Sequence, residues 1–144
     1  MAQTFSAELT GVDSVPAVKP SATNGYAARL KRFRATFTMA AQSTGAGNEL
    51  VVCDLPAGYV FAFAMITPSV TLGTSTLALG NASSSTAYAP ATTYTATVPT
   101  MAGSAAGVSA AALTASTRVL ATIGVAALPG SGTLVVDVYA SLPN

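Results

Sequence analysis

From residue 32 to residue 39 the side chains alternate strictly. Arg32, Arg34, Thr36 and Thr38 share one parity; Phe33, Ala35, Phe37 and Met39 share the other. A two-residue period places one set on each side of an extended chain, so this stretch reads as a strand with one apolar face, over about Tyr26 to Ala41. Gln42 to Asn48 then brings Ser, Gly and Asn, which is loop chemistry. The same grammar of short β-rich runs cut by turn residues continues to the end of the chain, and it restricts the fold to a class built from strands.

The runs can be read one by one. Glu49–Leu55 is a short apolar strand, and Pro56-Ala57-Gly58 is a turn. Tyr59–Thr67 follows with Tyr59, Phe61, Phe63 and Met65 on one parity and Val60, Ala62, Ala64 and Ile66 on the other. Two apolar faces imply a central strand covered on both sides. Val70–Leu79 is read as a strand with Gly73 as a bulge or turn. Gly80–Ala91, small and polar, is read as a loop carrying Tyr88 and Pro90. Thr92–Thr100 is read as a strand. Ala102–Ala112 is rich in Ala but broken by Gly103, Gly107 and Ser109, so it is read as a loop with at most one helical turn. Thr114–Ala127 is a strong strand with Val119, Ala121, Ile123 and Val125 on one side. Across the turn Pro129-Gly130-Ser131-Gly132, Thr133–Leu142 is the last strand, and the two are expected to form an antiparallel hairpin. Seven or eight strands and no long helix predict an all-β fold, a single β-sandwich or jelly-roll-like domain over 26–144. Phe33, Phe37, Phe61, Phe63, Ile123, Val136 and Val138 are the expected core.

Residues 1–25 differ in kind. Pro16 and Pro20 interrupt any ladder, and Ser21-Ala22-Thr23-Asn24-Gly25 reads as a linker. This stretch cannot build a core and is expected to be an extended N-terminal arm. Its sparse apolar residues Phe5, Leu9, Val12, Val15 and Val18 are candidate contacts to a neighbouring subunit.

Charge then bounds the function. The 144 residues carry 11 charged side chains, or 8%, and a net charge of +1, against about 25% charged residues in ordinary soluble domains. Charge is depleted in interface cores, so a surface this poor in it points to burial against companions. The near-zero net charge supplies no field to gather nucleic acid. No apolar run is long enough for a membrane helix, and Met1–Thr10 lacks the basic start and apolar stretch of an export signal. The chain has no His and one Cys, Cys53, in a strand-like run. The commonest general base and metal ligand is therefore missing, no intrachain disulfide can form, and Cys53 reads as a small buried apolar residue. Glu8, Asp13, Glu49, Asp54 and Asp137 form no close carboxylate pair in the sequence. Gly45-Ala46-Gly47 lacks the Lys and helix of a phosphate-binding loop. Asn81-Ala82-Ser83 matches a glycosylation sequon by chance. No enzyme, cofactor, metal or small-molecule substrate is expected.

Four of the six basic residues cluster at Arg29, Lys31, Arg32 and Arg34. Alternation puts Arg29 and Lys31 on one face and Arg32 and Arg34 on the other. They suit a charged guard on a sheet edge or an ionic contact to a neighbouring subunit, and less well a nucleic-acid surface.

Several segments in order, Leu55-Pro56-Ala57-Gly58, Val70 to Gly80, Val119 to Ile123 and Ala127 to Val136, resemble tailed-phage head decoration (cement) proteins. The resemblance implies a virion protein on the outer capsid surface, bound to major capsid protein and often trimeric. It carries no catalytic residues. A tail or head–tail joining subunit, a minor capsid protein and a host-glycan-binding β-sandwich are the alternatives.

Overall fold

A computed structural model describes residues 29–40 and 45–142. Within them run β1 (Arg29–Thr38), β2 (Glu49–Leu55), β3 (Val60–Pro68), β4 (Thr76–Asn81), β5 (Ser84–Thr93), β6 (Thr100–Ala102), the short helix α1 (Ala105–Val108), β7 (Thr117–Gly124) and β8 (Thr133–Leu142). Two four-stranded antiparallel sheets form, in the orders β1-β8-β3-β6 and β2-β7-β4-β5. First pairs with last, second with seventh, third with sixth and fourth with fifth. This nested pairing is one long double-stranded ribbon wrapped into a sandwich, the jelly-roll topology. The expected all-β sandwich is therefore the fold. The division at residue 25 and the contacts assigned to Phe5, Leu9, Val12, Val15 and Val18 lie outside the described residues.

The core fills the gap between the sheets. Leu77, Leu79, Val119, Ile123, Leu134, Val136 and Val138 are completely buried, each contributing roughly 1.5–3 kcal/mol by leaving water. Phe37 and Phe61 are buried with them. Phe33 is only partly buried, at the margin, where it meets the Tyr59 ring edge-on at 5.7 Å.

Several expectations are corrected. Phe63 is not core. The ladder between β3 and β8 slips between Phe61 and Phe63, and this bulge at Ala62 reverses the parity that follows. Phe61, Ala64 and Ile66 point inward, whereas Phe63 and Met65 point outward and are half-buried. The two apolar parities of this strand thus record a bulge; β3 sits between β8 and β6, but no second layer of the described residues covers its outward side. Gly80–Ala91 is not a loop, since most of it is β5. An Asx turn starts that strand, with Asn81 Oδ1 accepting from the Ser83 and Ser84 N–H groups at 2.9 and 3.0 Å. Pro90 is tolerated because β5 is an edge strand. Only the second half of Val70–Leu79 is strand, with Gly73 in the turn before it. Between β5 and Thr100 the chain is irregular: Tyr94 turns inward and its carbonyl accepts from the Leu72 N–H at 3.0 Å.

The expected hairpin between the last two strands does not form. β7 pairs with β2 and β4, and both edges of β8 are taken by β1 and β3. The connection instead crosses the sandwich. Val125, 79% exposed and so not on the inward face, takes a left-handed φ of 64°. Leu128 plugs the core, and Ser75 Oγ donates to the Ala127 carbonyl at 2.6 Å. An inward apolar face is satisfied equally well by a neighbour in the same sheet or one across the core, so the period could not choose between them.

Candidate interaction face

The two sheets differ in what their outward sides expose. On the β2-β7-β4-β5 sheet, Ala78 and Leu120 point outward yet are buried. The start of β5 lies against Gly80, so closely that a Cβ there would fall 2.0 Å from the Ser84 carbonyl oxygen, while Val51 on β2 stays 52% exposed. Beside this cover, Arg118 Nε donates to Asp54 Oδ1 at 2.8 Å, an exposed pair. That pairing holds the Asp54 carboxyl below its usual range. Cys53 is half-buried, and burial with the neighbouring Asp54 pushes its thiol up to about 11, which leaves it unreactive at neutral pH.

Among the described residues the outward side of the β1-β8-β3-β6 sheet is open. Register sets Arg32, Tyr139 and Phe63 in one row across β1, β8 and β3, and Arg34, Asp137, Met65 and Met101 in the next row, which reaches β6. Phe63 stacks on Tyr139 with centroids 4.6 Å apart. Met101 is 71% exposed and Val108 48%. Val108 is presented by α1, whose first turn is capped where Gly107 N–H donates to Ser104 Oγ at 3.0 Å. Gly107 itself lies against Tyr88, where a Cβ would come within 2.9 Å of the carbonyl oxygen. Ala62, Phe63, Met101, Gly103 and Val108 line an apolar groove of about 380 Å³. A second groove of about 350 Å³ runs between Arg32, Arg34, Met65, Pro99 and Tyr139.

The charge on this face is uneven. Arg34 Nε and Nη2 donate to the two Asp137 carboxylate oxygens at 2.8 and 2.7 Å. Asp137 is only 6% exposed; the Arg34 hydrogen bonds hold its carboxyl below the usual range against the opposing effect of burial, with Arg32 adding a smaller pull. One carboxylate thus faces two guanidiniums, and the face keeps a net positive charge.

The basic cluster divides as alternation requires. Arg32 and Arg34 point to the open face. Lys31 leans over the Tyr59 ring at 5.7 Å, and Arg29 stands opposite Leu142. All four lie on β1, an edge strand. The Arg34–Asp137 pair, the outward Phe63 and Met65, and exposed Met101 and Val108 were not anticipated. The doubled apolar parity of β3 was the available signal for the outward pair. Tyr88, the aromatic residue favouring a glycan site, is buried and stacked on Phe61 at 4.8 Å, so it offers no sugar platform. Among the described residues no cluster of His, Cys, Asp or Glu is suited to a metal, and no helix is long and apolar enough to cross a membrane.

No protein-family model matches the chain, and no curated protein sequence matches it. Solved structures do. A chain of the cyanophage Pam1 capsid asymmetric unit superposes with a TM-score of 0.66 at 20% identity, over 93% of this chain and 99% of that one. A chain of the Ralstonia phage GP4 capsid gives 0.58 at 16% identity, over 81% and 85%. A chain of the acidic stable capsid of Helicobacter pylori bacteriophage KHP30 gives 0.57 at 14% identity, over 80% and 89%. At these identities what is shared is the fold: this chain has the same jelly-roll sandwich as those chains of phage capsids.

Proposed function

We propose that this protein is a structural subunit of a phage virion, a decoration or cement protein that binds the outer surface of the capsid shell. The observation that carries this reading is the reciprocal coverage of the Pam1 capsid chain. Nearly the whole of each chain matches the other, so the likeness extends over an entire chain of a capsid asymmetric unit and not over one part of a much larger one. The open face supplies the means of attachment. Its partner is major capsid protein, through a surface that combines apolar side chains with a carboxylate to meet Arg32. Exposed apolar area rimmed by charge is what a docking surface requires. Subunits assemble as a homotrimer, and no catalytic step is involved.

Immunogold labelling of intact particles with an antibody to this chain tests the reading. Label over the head is expected. Label confined to the tail or the head–tail junction would overturn the decoration role in favour of a tail or joining subunit.

A further inference from the structure

The free edge of β1 remains without an occupant among the described residues. β1 pairs with β8 on one side only, so every second residue along it turns its N–H and C=O away from the sheet. The edge runs ten residues, longer than three-residue β6 at the other side of the sheet. Four cations guard it. Arg29, Lys31 and Arg32 have no carboxylate partner among the described residues, and Arg34 commits only Nε and Nη2 to Asp137, leaving Nη1. Such a guard repels a second copy of the same edge but favours a strand bearing acids.

The sequence holds a segment whose acids are spaced to match. Set antiparallel to β1 with Glu8 opposite Arg34, the segment Phe5–Asp13 brings Asp13 opposite Arg29 in the same register. The remaining positions then agree with one another. Phe5 meets Phe37, Ala7 meets Ala35, Leu9 meets Phe33 and Val12 meets Leu30, while Ser6 meets Thr36 and Thr10 meets Arg32; only Gly11, opposite Lys31, brings no side chain to its partner. Apolar thus faces apolar, polar faces polar, and both acids face bases, which is the pairing that stabilises neighbouring strands. Leu30, 54% exposed on β1, would gain cover.

We propose that Phe5–Asp13 of a second copy adds to the free edge of β1 as a fifth strand, locking copies together by strand exchange. The connector, residues 14–28, contains Pro16 and Pro20, which favour extended chain, and it spans up to about 50 Å. A connector of that reach is long enough to bring the segment to a neighbour's edge. The idea rests on the assembly reading above only in requiring more than one copy.

The test uses the purified full-length chain without phage particles, so its failure leaves the shell reading standing. Two single-site variants in a Cys53→Ser background, Ala7→Cys and Ala35→Cys, are mixed, dissociated, reassembled and oxidised. Opposed strand residues lie within disulfide reach. A covalent dimer of the two different chains is expected, at least fivefold more abundant than from Ala7→Cys mixed with Thr38→Cys. Adding Asp13→Arg to the first chain should lower the yield several-fold, and adding Arg29→Asp to the second should restore it. No mixed dimer, or a disulfide formed only within one chain carrying both cysteines, would overturn the proposal.

Discussion

The two outward sheet faces began from similar material and reached opposite ends. Each has an inward apolar face meeting the same core, and each carries one Arg–Asp pair on its outside. On the β2-β7-β4-β5 side the chain covers itself in part: β5 folds over Gly80, while Val51 stays half-exposed and the Asp54–Arg118 pair stands in solvent. On the β1-β8-β3-β6 side nothing among the described residues covers Phe63, Met65, Met101 or Tyr139, and the Asp137 carboxylate is sunk into the face beneath an exposed Arg34. A chain with so few charges can keep one face closed by folding on itself while leaving the other for a companion.

Substitutions separate the closed side from the open one, starting with the largest effects. Truncating Leu79→Ala beneath the closed sheet should cost about 2–5 kcal/mol in denaturant unfolding, because the cavity is held by rigid neighbours. Gly80→Ala should cost about 1–3 kcal/mol by forcing β5 off its seat. The same experiment on the open side should behave differently: Met101→Ser should leave stability within about 0.5 kcal/mol while sharply lowering attachment to stripped shells in a sedimentation assay. A large stability loss there would mean that Met101 supports the fold and is not a docking residue.

The buried Asp137 carboxylate makes a prediction about pH. The folded Asp137 carboxyl titrates below its usual range, so its contribution is complete above the unfolded value of about 4 and disappears as pH falls through the folded value. Wild type should therefore be more stable than Asp137→Asn at neutral pH, with the gap closing below about pH 4. A gap that widened in acid would refute the assigned direction. The smallest effect concerns Cys53, whose thiol lies near 11: a thiol reagent at pH 8 should label it slowly in the folded protein and fast after unfolding.

Much of the fold was legible where a strand obeys one period from end to end. β8 was expected over the residues the structure shows for this reason; β2 was too, although its ladder slips between Val51 and Cys53, because clear turns bound its apolar run. β5 escaped because Ser, Thr, Ala and Pro in an edge strand have the same chemistry as a loop. The β3 bulge escaped because one inserted residue changes facing without changing composition. The route from β7 to β8 escaped because burial does not say which sheet a strand joins. On the candidate face, parity placed Arg32 and Arg34 together, but Met101 and Val108 depend on a three-residue strand and a one-turn helix whose positions are set by distant contacts.

Cryo-EM of decorated particles, at a resolution that orients the sandwich, tests the central claim most directly. The account predicts Phe63, Met101 and Tyr139 turned towards the shell with the β5-covered side facing solvent. Density showing the β5-covered side against the shell and Met101 exposed to solvent would contradict it.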